Sequence, residues 1–466
     1  MKTIFLSYFF LIFLLIIISF SYEKEFNPIP KRNGQLNDKY RHTEDENNLF
    51  FIFFTFRHGA RSPLILRHNT DILGGKWNNR GELTKTGRKQ HYEIGLKNRK
   101  RYGKFISKEY NPKELKIFST YFNRTINSVQ SQLLGLYNNI TYSNFSFTEF
   151  NNTSTENNYE KEIKTILPPI QLIEYDGKKY KKTFKNHFDC YYLRKQIAKN
   201  WNKSNEIIEN IVNDFNEEYH DILMKEYKYL HKINLTSIRG FDRFCDIYEA
   251  VYVDEDNKHI LNKIKSHGKN ITVIKEICDN YLYNHYRYIR NGGYALDNGV
   301  ISQSDILVKI INWMQVRADQ NNNFASKYSE PKFVLYSGHD STLYEMQSCL
   351  NKSFNINFEN VDFAAEQLIE LRKYSNTFYV EIYYNDKLKL NITLEEFKSR
   401  IGSILVNDKD VYNICYKTKE DFYLEYEKIV LTGVTITLSL VFLILICKIY
   451  YTKNEDIYKV GVVQIE

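Results

Sequence analysis

The residues with the clearest chemistry are seven in a row, Arg57 to Pro63, directly after the apolar run Leu49 to Phe56. In this motif one imidazole, that of His58, stands between the guanidinium groups of Arg57 and Arg61. Two permanent positive charges this close repel each other, and a bound anion relieves the repulsion. A planar guanidinium group binds two phosphate oxygens at once, and a neighbouring histidine can attack phosphorus. The motif therefore predicts a phosphate pocket with its own nucleophile.

Two further predicted strands end in polar groups. Arg124 follows the short strand Leu115 to Ser119, and the pair His339-Asp340 follows the strand Phe333 to Tyr336. Ligands of open α/β sheets bind at the carboxyl ends of the strands, so three parallel neighbours would bring these groups to one crevice. Arg124 would also lie near a helix N-terminus, whose free N–H groups favour an anion.

Other chemistries have less support. Two histidines and an aspartate could bind a metal ion, but the flanking guanidinium groups would repel a divalent cation and attract phosphate. A serine nucleophile is weaker still, because Ser62 and Ser337 lack a Gly-x-Ser-x-Gly turn. The chain has no Cys-x-x-Cys pair or Cys/His cluster, which argues against structural zinc. We therefore expect no metal and no cofactor.

The elements that must position these residues alternate between strand and helix. Thr84 is a predicted N-cap of a helix that runs to about Lys104, and a second helix follows Arg124. Residues 166–300 have mainly helical spacing, and a further helix is predicted over Ser302 to Arg317. A hairpin is predicted around Asn385-Asp386. The pattern predicts an α/β core interrupted by a helical cap.

Length and charge restrict the function further. With 466 residues the chain can bury a large core and hold two or three domains. Its net charge of +8 comes from 64 basic and 56 acidic residues that are interspersed rather than clustered. No stretch combines a basic stripe with aromatic stacking positions, so nucleic acid is not expected as a partner.

Two apolar segments predict the compartment. Ile4 to Phe20 resembles the core of a signal peptide, with cleavage expected after Ser21; an uncleaved membrane anchor is the alternative. Residues 429–447 carry no charge and would reach about 28 Å as a helix, which predicts a transmembrane span. The expected protein is single-pass type I, with residues 22–428 exported and 448–466 as a cytosolic tail.

Sequons and cysteines agree with export. Five cysteines fall in the exported part, so at most two disulfides form and one thiol remains. Eight Asn-x-Ser/Thr triplets are glycosylation candidates, a number that such an Asn-rich chain also reaches by chance. They begin at Asn139, Asn144, Asn151, Asn202, Asn234, Asn270, Asn351 and Asn391.

The motifs together resemble the histidine acid phosphatase family, in its branch with a helical cap. The match covers most of the exported part and extends beyond Arg57 to Pro63. The other matching segments are Leu83 to His91, Ser119-Thr120 with Arg124-Thr125, Tyr336 to Leu343, Tyr379 to Tyr384, and Leu394 to Phe397.

The resemblance implies a role for each site residue. His58 would be the nucleophile and form a phosphohistidine, and Asp340 would protonate the leaving alcohol. Arg57, Arg61, Arg124 and His339 would bind the phosphoryl oxygens. Nearby arginines favour the neutral imidazole of His58, and Asp340 must hold a proton, so an acidic optimum follows.

The resemblance also implies a fold and a disulfide. The expected fold is α/β, a mixed, mostly parallel sheet flanked by helices as in phosphoglycerate mutase, with the α-helical cap inserted at about 138–300. Cys190 is expected to pair with Cys415, whereas Cys245 could pair with Cys349 or Cys278.

One segment departs from the family pattern. Tyr121 and Asn123 stand where family members usually carry acidic residues, which puts substrate preference and efficiency in question. Asn123 also opens a sequon, and because a glycan there would obstruct the site we predict that it is unused.

Three functions follow, in order of support. The first is an acid phosphatase for small-molecule phosphate monoesters, in a lysosome-like compartment or at the cell surface. The second is a phytase-like enzyme for inositol phosphates, for which Lys85, Arg88 and Lys89 could form a basic rim. The third is a membrane-anchored binding protein without turnover, and the intact catalytic groups argue against it. The sequence leaves a homodimer open.

Overall fold

The computed structural model describes most of the chain between residues 48 and 446. The described residues are 48–66, 69–137, 168–173, 196–197, 199–200, 206–290, 297–319, 331–357, 359–407 and 430–446. Several predictions lie outside them: the signal peptide, the cytosolic tail, the Cys190–Cys415 pair, and the sequons at Asn139, Asn144, Asn151 and Asn202.

The described strands form a seven-stranded mixed sheet in the order β3-β2-β4-β1-β5-β6-β7. β1 and β2 both pair parallel with β4, β2 pairs parallel with β3, and β5, β6 and β7 continue the sheet with antiparallel pairings. The strands are β1 (Leu49–Arg57), β2 (Leu115–Thr120), β3 (Gln171–Ile173), β4 (Phe333–Gly338), β5 (Glu366–Tyr374), β6 (Thr377–Tyr384) and β7 (Lys387–Thr393).

Helices cover both faces of this sheet, so the predicted α/β architecture is correct. The longer ones are α1 (Lys85–Tyr102), α2 (Asn123–Leu136), α3 (Glu206–Glu226), α4 (Ile238–Val253), α5 (Ile271–Asn284), α6 (Asp297–Asp319), α7 (Asp340–Phe354), α8 (Leu394–Gly402) and α9 (430–446). Short helical turns lie at Leu230–Lys232, Lys258–Leu261 and Asn262–Lys265, and a π-helix at His285–Arg290 follows α5.

Strand β1 is apolar throughout because both of its faces are buried. Phe51 and Phe53 pack in the cluster that holds Trp313 of α6, whereas Ile52 and Phe54 pack in the opposite cluster with α1 and α2. A central strand covered on both faces needs apolar residues at consecutive positions. β1 is therefore fixed at the centre of the core, and its carboxyl end carries the Arg57 motif.

Residues 206–290, here called the helical lobe, have a hydrophobic core of their own. Aromatic side chains of α3, α4 and α5, among them Phe215, Phe241 and Tyr281, form this core. A disulfide joins Cys245 of α4 to Cys278 of α5, which decides between the two alternatives for Cys245. Cys349 is a buried free thiol. The limits of the predicted cap, about 138–300, stay a prediction, and β3 within that range belongs to the sheet.

The predicted C-terminal transmembrane helix is wrong. Among the described residues no helix is both long enough and apolar enough to cross a membrane. Helix α9 covers only 430–446 and reaches about 26 Å at 1.5 Å per residue, against a hydrocarbon core of about 30 Å. The prediction relied on the absence of charge over 429–447 and did not fix the helical length. The predicted single-pass type I topology and membrane partner relied on this span, which the described residues do not show.

Four predicted glycosylation sites lie in the described residues and differ in surroundings. Asn234 and Asn270 are exposed, and the side chain of Asn270 caps α5 by accepting from the N–H of Thr272. Asn351 and Asn391 are half-buried, and their amide Nδ2 groups donate within the protein. Glycosylation of any of them stays a prediction.

Candidate active site

The carboxyl ends of β1, β2 and β4 meet at one edge of the sheet. Arg57, the last residue of β1, lies opposite Gly338 of β4, and Ser119 of β2 lies opposite Ser337. The loops after these strands therefore open into the same crevice, as the sequence predicts.

All six predicted site residues line one cavity of about 280 Å³ at this edge. The helical lobe closes the side opposite the sheet. The predicted residues in the lining are Arg57, His58, Arg61, Arg124, His339 and Asp340, and the lobe adds Asp242, Arg243, Asp246, Glu249, Leu282, His285 and Tyr286. The structure thus brings the predicted residues together and adds residues that the sequence did not single out.

The loop that carries His58 is held by backbone contacts on two sides. The N–H of His58 donates to the carbonyl of Gly338 (3.0 Å), and the N–H of Gly59 donates to Ser128 Oγ (3.1 Å). Gly59 lies directly against the backbone of Gly87, and a Cβ on either residue would overlap backbone atoms. The glycine after the histidine is therefore required for α1 to begin this close to the loop.

His58 is buried and oriented as a nucleophile. Its Nδ1 lies 2.9 Å from the carbonyl oxygen of Gly59. A carbonyl only accepts hydrogen bonds, so Nδ1 carries the ring proton and Nε2 keeps its lone pair. Burial holds the pKa of His58 well below its ordinary value, and the charges of Arg124, Arg57 and Arg61 lower it further. The imidazole therefore stays neutral in mild acid.

Arg57 is paired to the helical lobe. Its two Nη atoms donate to the two carboxylate oxygens of Glu249 at 2.6 and 2.9 Å, and Nη1 also donates to the carbonyl of Val361 (2.8 Å). Phe363 lies beneath the guanidinium group, 4.1 Å from its carbon to the ring centroid. Burial opposes the charge, but Glu249 and Asp340 outweigh burial and raise the pKa of Arg57. Arg57 is therefore a fixed cation.

The other two arginines differ in their partners. Arg61 donates to Asp246 of α4 at 2.5 Å and to the carbonyl of Ser62 at 3.0 Å. Arg124 forms no ion pair with a described carboxylate, and its guanidinium carbon lies 4.4 Å from the ring centroid of Phe122. Burial and the nearby charge of Arg61 lower the pKa of Arg124 to about 10. Arg124 is thus the guanidinium group with the greatest need of an anion.

Three buried donors at the cavity also lack acceptors. The Nε groups of Arg57, Arg61 and Arg124 have no hydrogen-bond partner among the residues that the structure describes. An unpaired buried donor costs about 1–3 kcal/mol. An oxyanion in the cavity would supply the missing acceptors and neutralise Arg124.

His339 and Asp340 lie at the N-terminus of α7. His339 Nε2 is 2.9 Å from Thr120 Oγ1, and its ring stands edge-on to that of His58 at 5.5 Å. Asp340 Oδ1 accepts from the hydroxyl of Tyr286 (2.7 Å), and Oδ2 lies 3.4 Å from Arg57 Nη2. Burial alone would raise the pKa of Asp340, but Arg57 and the hydrogen bond from Tyr286 hold it well below its ordinary value. Without an anion, Asp340 is a carboxylate.

Some predicted contributors lie away from the cavity. Lys85, Arg88 and Lys89 are absent from its lining, and Lys89 lies 3.7 Å from Glu255. Tyr121 is exposed and stacks on Phe122, while Asn123 donates to Glu82. The described residues contain no group of three or more His, Cys, Asp or Glu side chains placed to hold a metal ion.

Sequence reasoning missed the acidic partners and the tyrosine of the lobe. Asp242, Asp246 and Glu249 recur every three or four residues on one face of α4, so their spacing was a usable signal of a shared surface. Tyr286 had no such signal, because its partner Asp340 is 54 residues away in the chain.

Comparison with known proteins agrees with this geometry. Residues 23–385 match the histidine phosphatase superfamily (branch 2). Lysosomal acid phosphatase of Rattus norvegicus is 23% identical over 350 residues, 73% of this chain and 72% of the relative. Testicular acid phosphatase of Mus musculus is 41% identical over 97 residues, 20% of this chain and 23% of the relative.

A solved structure supports the same fold. A phytase of Hafnia alvei in complex with tartrate aligns over 77% of this chain and 97% of its own, with a TM-score of 0.51 at 11% identity. At this identity the likeness concerns the fold alone. The family match covers most of the chain, and the resemblance seen in its motifs is confirmed: the protein belongs to the histidine phosphatase superfamily, branch 2.

Proposed function

We propose that this phosphatase hydrolyses phosphate monoesters through a phosphohistidine on His58, with Asp340 as the proton donor. The observation that carries the proposal is a buried His58, its Nδ1 bonded to the carbonyl of Gly59, among three arginines whose Nε donors lack acceptors in the described residues. A phosphoryl group in the cavity would accept from these donors, with Arg124 as its main charge partner.

The first step transfers the phosphoryl group to the enzyme. The lone pair of His58 Nε2 forms a bond to phosphorus while the bond between phosphorus and the ester oxygen breaks. Asp340 gives its proton to that oxygen, so the alcohol leaves neutral. Arg57, Arg61, Arg124 and His339 stabilise the charge on the phosphoryl oxygens from fixed positions.

The second step returns the enzyme to its starting state. Asp340, now a carboxylate, takes a proton from water as the water oxygen attacks phosphorus. The bond between phosphorus and Nε2 breaks, its electron pair returns to His58, and inorganic phosphate leaves.

Binding of the substrate favours the protonated form of Asp340 that the first step needs. Arg57 keeps the carboxylate charged in the empty site, but a bound phosphate ester brings negative charge beside the same guanidinium group. That charge offsets the field of the arginines and raises the pKa of Asp340. Turnover should therefore favour acid, where Asp340 is protonated, and fall as pH rises.

The charge of the cavity supports a monoester in preference to a polyphosphate. Asp242, Asp246, Glu249 and Asp340 line the same cavity as the arginines, and Glu249 and Asp246 already pair with Arg57 and Arg61. A polyanion such as phytate would place several phosphates against these carboxylates. The predicted basic rim lies outside the cavity lining, so no observation of the site favours the phytase-like alternative.

An exported, lysosome-like location is part of the proposal. The disulfide between Cys245 and Cys278 supports an oxidising compartment, and the lysosomal acid phosphatase of Rattus norvegicus matches over 73% of this chain. The predicted signal peptide would provide the route. No observation supports a homodimer.

Trapping of the intermediate tests the mechanism directly. Full-length chain is mixed with a radiolabelled aryl phosphate and quenched in alkali, where phosphohistidine survives. We expect label on the wild type, none on His58→Ala, and unchanged turnover in EDTA. Label on His58→Ala would show that His58 is not the nucleophile. Loss of turnover in EDTA would show that the reaction needs a metal ion. Comparison of kcat/KM for phytate and for the aryl phosphate tests the substrate class. A higher kcat/KM for phytate would favour the phytase-like alternative.

A further inference from the structure

We propose that Tyr286 is the positioning residue of the proton donor: its hydroxyl, held by the helical lobe, fixes Asp340 so that Oδ2 carries the proton to the leaving group. The inference rests on the proposed function, in which Asp340 protonates the alcohol.

The two oxygens of Asp340 have different surroundings. Oδ1 accepts two hydrogen bonds, from Tyr286 Oη at 2.7 Å and from the N–H of Ser341 at 2.6 Å. A proton on Oδ1 would face these two donor groups and would find no acceptor, so the protonated acid carries its hydrogen on Oδ2. This oxygen lies 3.4 Å from Arg57 Nη2, beside the phosphate pocket. The two donors to Oδ1 thus select the oxygen that reacts and fix the plane of the carboxyl group.

Tyr286 is itself held in place by a stacked ring. It is nearly buried, and its ring lies parallel to that of Tyr344 of α7 with centroids 4.3 Å apart. The hydroxyl of Tyr344 donates to Asn360 Oδ1 (2.9 Å) and accepts from the N–H of Val361 (3.2 Å). The carbonyl of Val361 accepts from Arg57. One rigid set of contacts therefore joins the proton donor to the arginine beside it.

The backbone at Tyr286 departs from ordinary helix. Residues 285–290 form a π-helix at the end of α5, with one more residue in each turn than an α-helix. π-Helical turns are rare and recur at functional sites. Here the wider turn lies where the lobe meets α7, and it places the Tyr286 hydroxyl within reach of Asp340.

The groups that face Asp340 set the sign of the pH effect. Arg57 of β1, Arg61, Arg124 of α2 and its neighbour His339 are the positive groups, and Tyr344 of α7 also faces it. The hydroxyl of Tyr286 adds a hydrogen bond that favours the carboxylate. Removing that hydroxyl therefore raises the pKa of Asp340, so the protonated acid persists to higher pH.

The test compares Tyr286→Phe with Tyr344→Phe in the full-length chain. Each variant loses one hydroxyl and keeps the stacked ring. The hydroxyl of Tyr286 donates to Asp340, whereas that of Tyr344 donates to Asn360. For an alkyl phosphate such as β-glycerophosphate, whose leaving group needs a proton, we expect Tyr286→Phe to lower the rate of phosphoenzyme formation about tenfold. For p-nitrophenyl phosphate, whose leaving group departs as an anion, we expect this rate to fall less than about twofold. The alkaline limb of the kcat profile should move to higher pH.

Tyr344→Phe should change both substrates alike and leave the limb in place. Equal losses on the two substrates in Tyr286→Phe, or an unmoved limb, would overturn the positioning role. The double variant is a second check. In the Asp340→Asn background, Tyr286→Phe should cause no further loss of activity on the alkyl phosphate.

Failure of the proposed function would look different from failure of this inference. If Asp340→Asn slowed phosphoenzyme formation equally for the two substrates, or if His58→Ala kept its turnover, the general mechanism would be at fault. If both of those variants behave as expected and Tyr286→Phe matches Tyr344→Phe, only the role of Tyr286 is wrong.

Discussion

Two buried clusters of charge lie toward opposite ends of the same sheet, and they differ in how completely their charged groups are paired. The structural cluster joins Glu370 and Arg372 of β5 to Glu381 of β6, near the amino end of β1. Glu370 also accepts from Tyr102 (2.5 Å) and Arg101 (3.0 Å). Each charge in this cluster has an opposite charge beside it.

The site cluster, at the carboxyl end of β1, contains guanidinium groups that are incompletely paired. Arg57 and Arg61 are paired with acids of the lobe, but Arg124 has no described carboxylate partner, and none of the three Nε groups has a hydrogen-bond partner in the described part of the chain. A buried network in which every charged group is paired stabilises one structure, whereas a network with unpaired guanidinium groups can bind an anion. The clusters should therefore respond oppositely to mutation: the structural cluster in stability, the site cluster in turnover.

The largest effect is expected at His58. His58→Ala should lower kcat by about 10⁴-fold or more, because it removes the atom that bonds to phosphorus. Thermal unfolding should change little, since the imidazole makes one described side-chain hydrogen bond, to Gly59. His220→Ala is the control and should leave both quantities unchanged, because His220 is only half-buried and is absent from the cavity lining. If His58→Ala is stable and keeps most of its turnover, the assignment of catalysis to the site cluster is wrong.

The structural cluster should give the largest loss of stability. Glu370→Gln leaves the buried Arg372 and the half-buried Arg101 beside a neutral group, and we expect the free energy of unfolding to fall by about 3 kcal/mol. Activity per folded molecule should be unchanged. Urea unfolding measures the loss, with Glu395→Gln as a control because its pair with Lys398 is exposed and worth about 0–1 kcal/mol. Loss of kcat in folded Glu370→Gln would show that the clusters are coupled.

Arg124 should show the opposite response. Arg124→Ala removes the unpaired charge, so kcat/KM should fall by about 10²–10³-fold, or roughly 3–4 kcal/mol. Stability should hold or increase, because the repulsion from Arg61 is relieved. Inorganic phosphate should raise the Tm of the wild type and not that of the variant. A destabilised Arg124→Ala with normal kcat/KM would assign this arginine to structure.

The smallest effect is a pH dependence of stability. The pKa of His58 is lowered in the folded state, so below about pH 6.5 the unfolded chain binds a proton that the native site refuses. This contribution reduces stability as pH falls, by at most about 2 kcal/mol between pH 7 and 5. We expect the wild type to lose more stability than His58→Ala over this range in urea unfolding at each pH. Equal losses would mean that His58 is protonated in the native state.

The parts predicted from sequence are those with a local signal. β1, β2 and β4 are apolar because they are buried on both faces, and the site groups follow them directly. β5 was missed because one of its two buried faces carries Glu366, Glu370 and Arg372, which hide the apolar pattern that marks a strand.

What could not be predicted depends on contacts far apart in the chain. Glu249 reaches Arg57 across 192 residues, and no local pattern encodes that pairing. The transmembrane prediction failed for a different reason, since lack of charge over 429–447 does not set where a helix begins and ends.

The order of strands in the sheet has a consequence for synthesis. β1 and β2 are made early, yet neither pairs with the other, because β4 lies between them. Both strands must wait for residues 333–338 to leave the ribosome, on the order of ten seconds or more at about 5–20 residues per second. Until then two strongly apolar edges are open to other chains, which favours aggregation. The nascent enzyme should therefore depend on chaperones until β4 arrives. Insertion of β4 joins β1 to β2 and brings the segments that carry Arg57, Arg124 and Asp340 together, before β5, β6 and β7 extend the sheet.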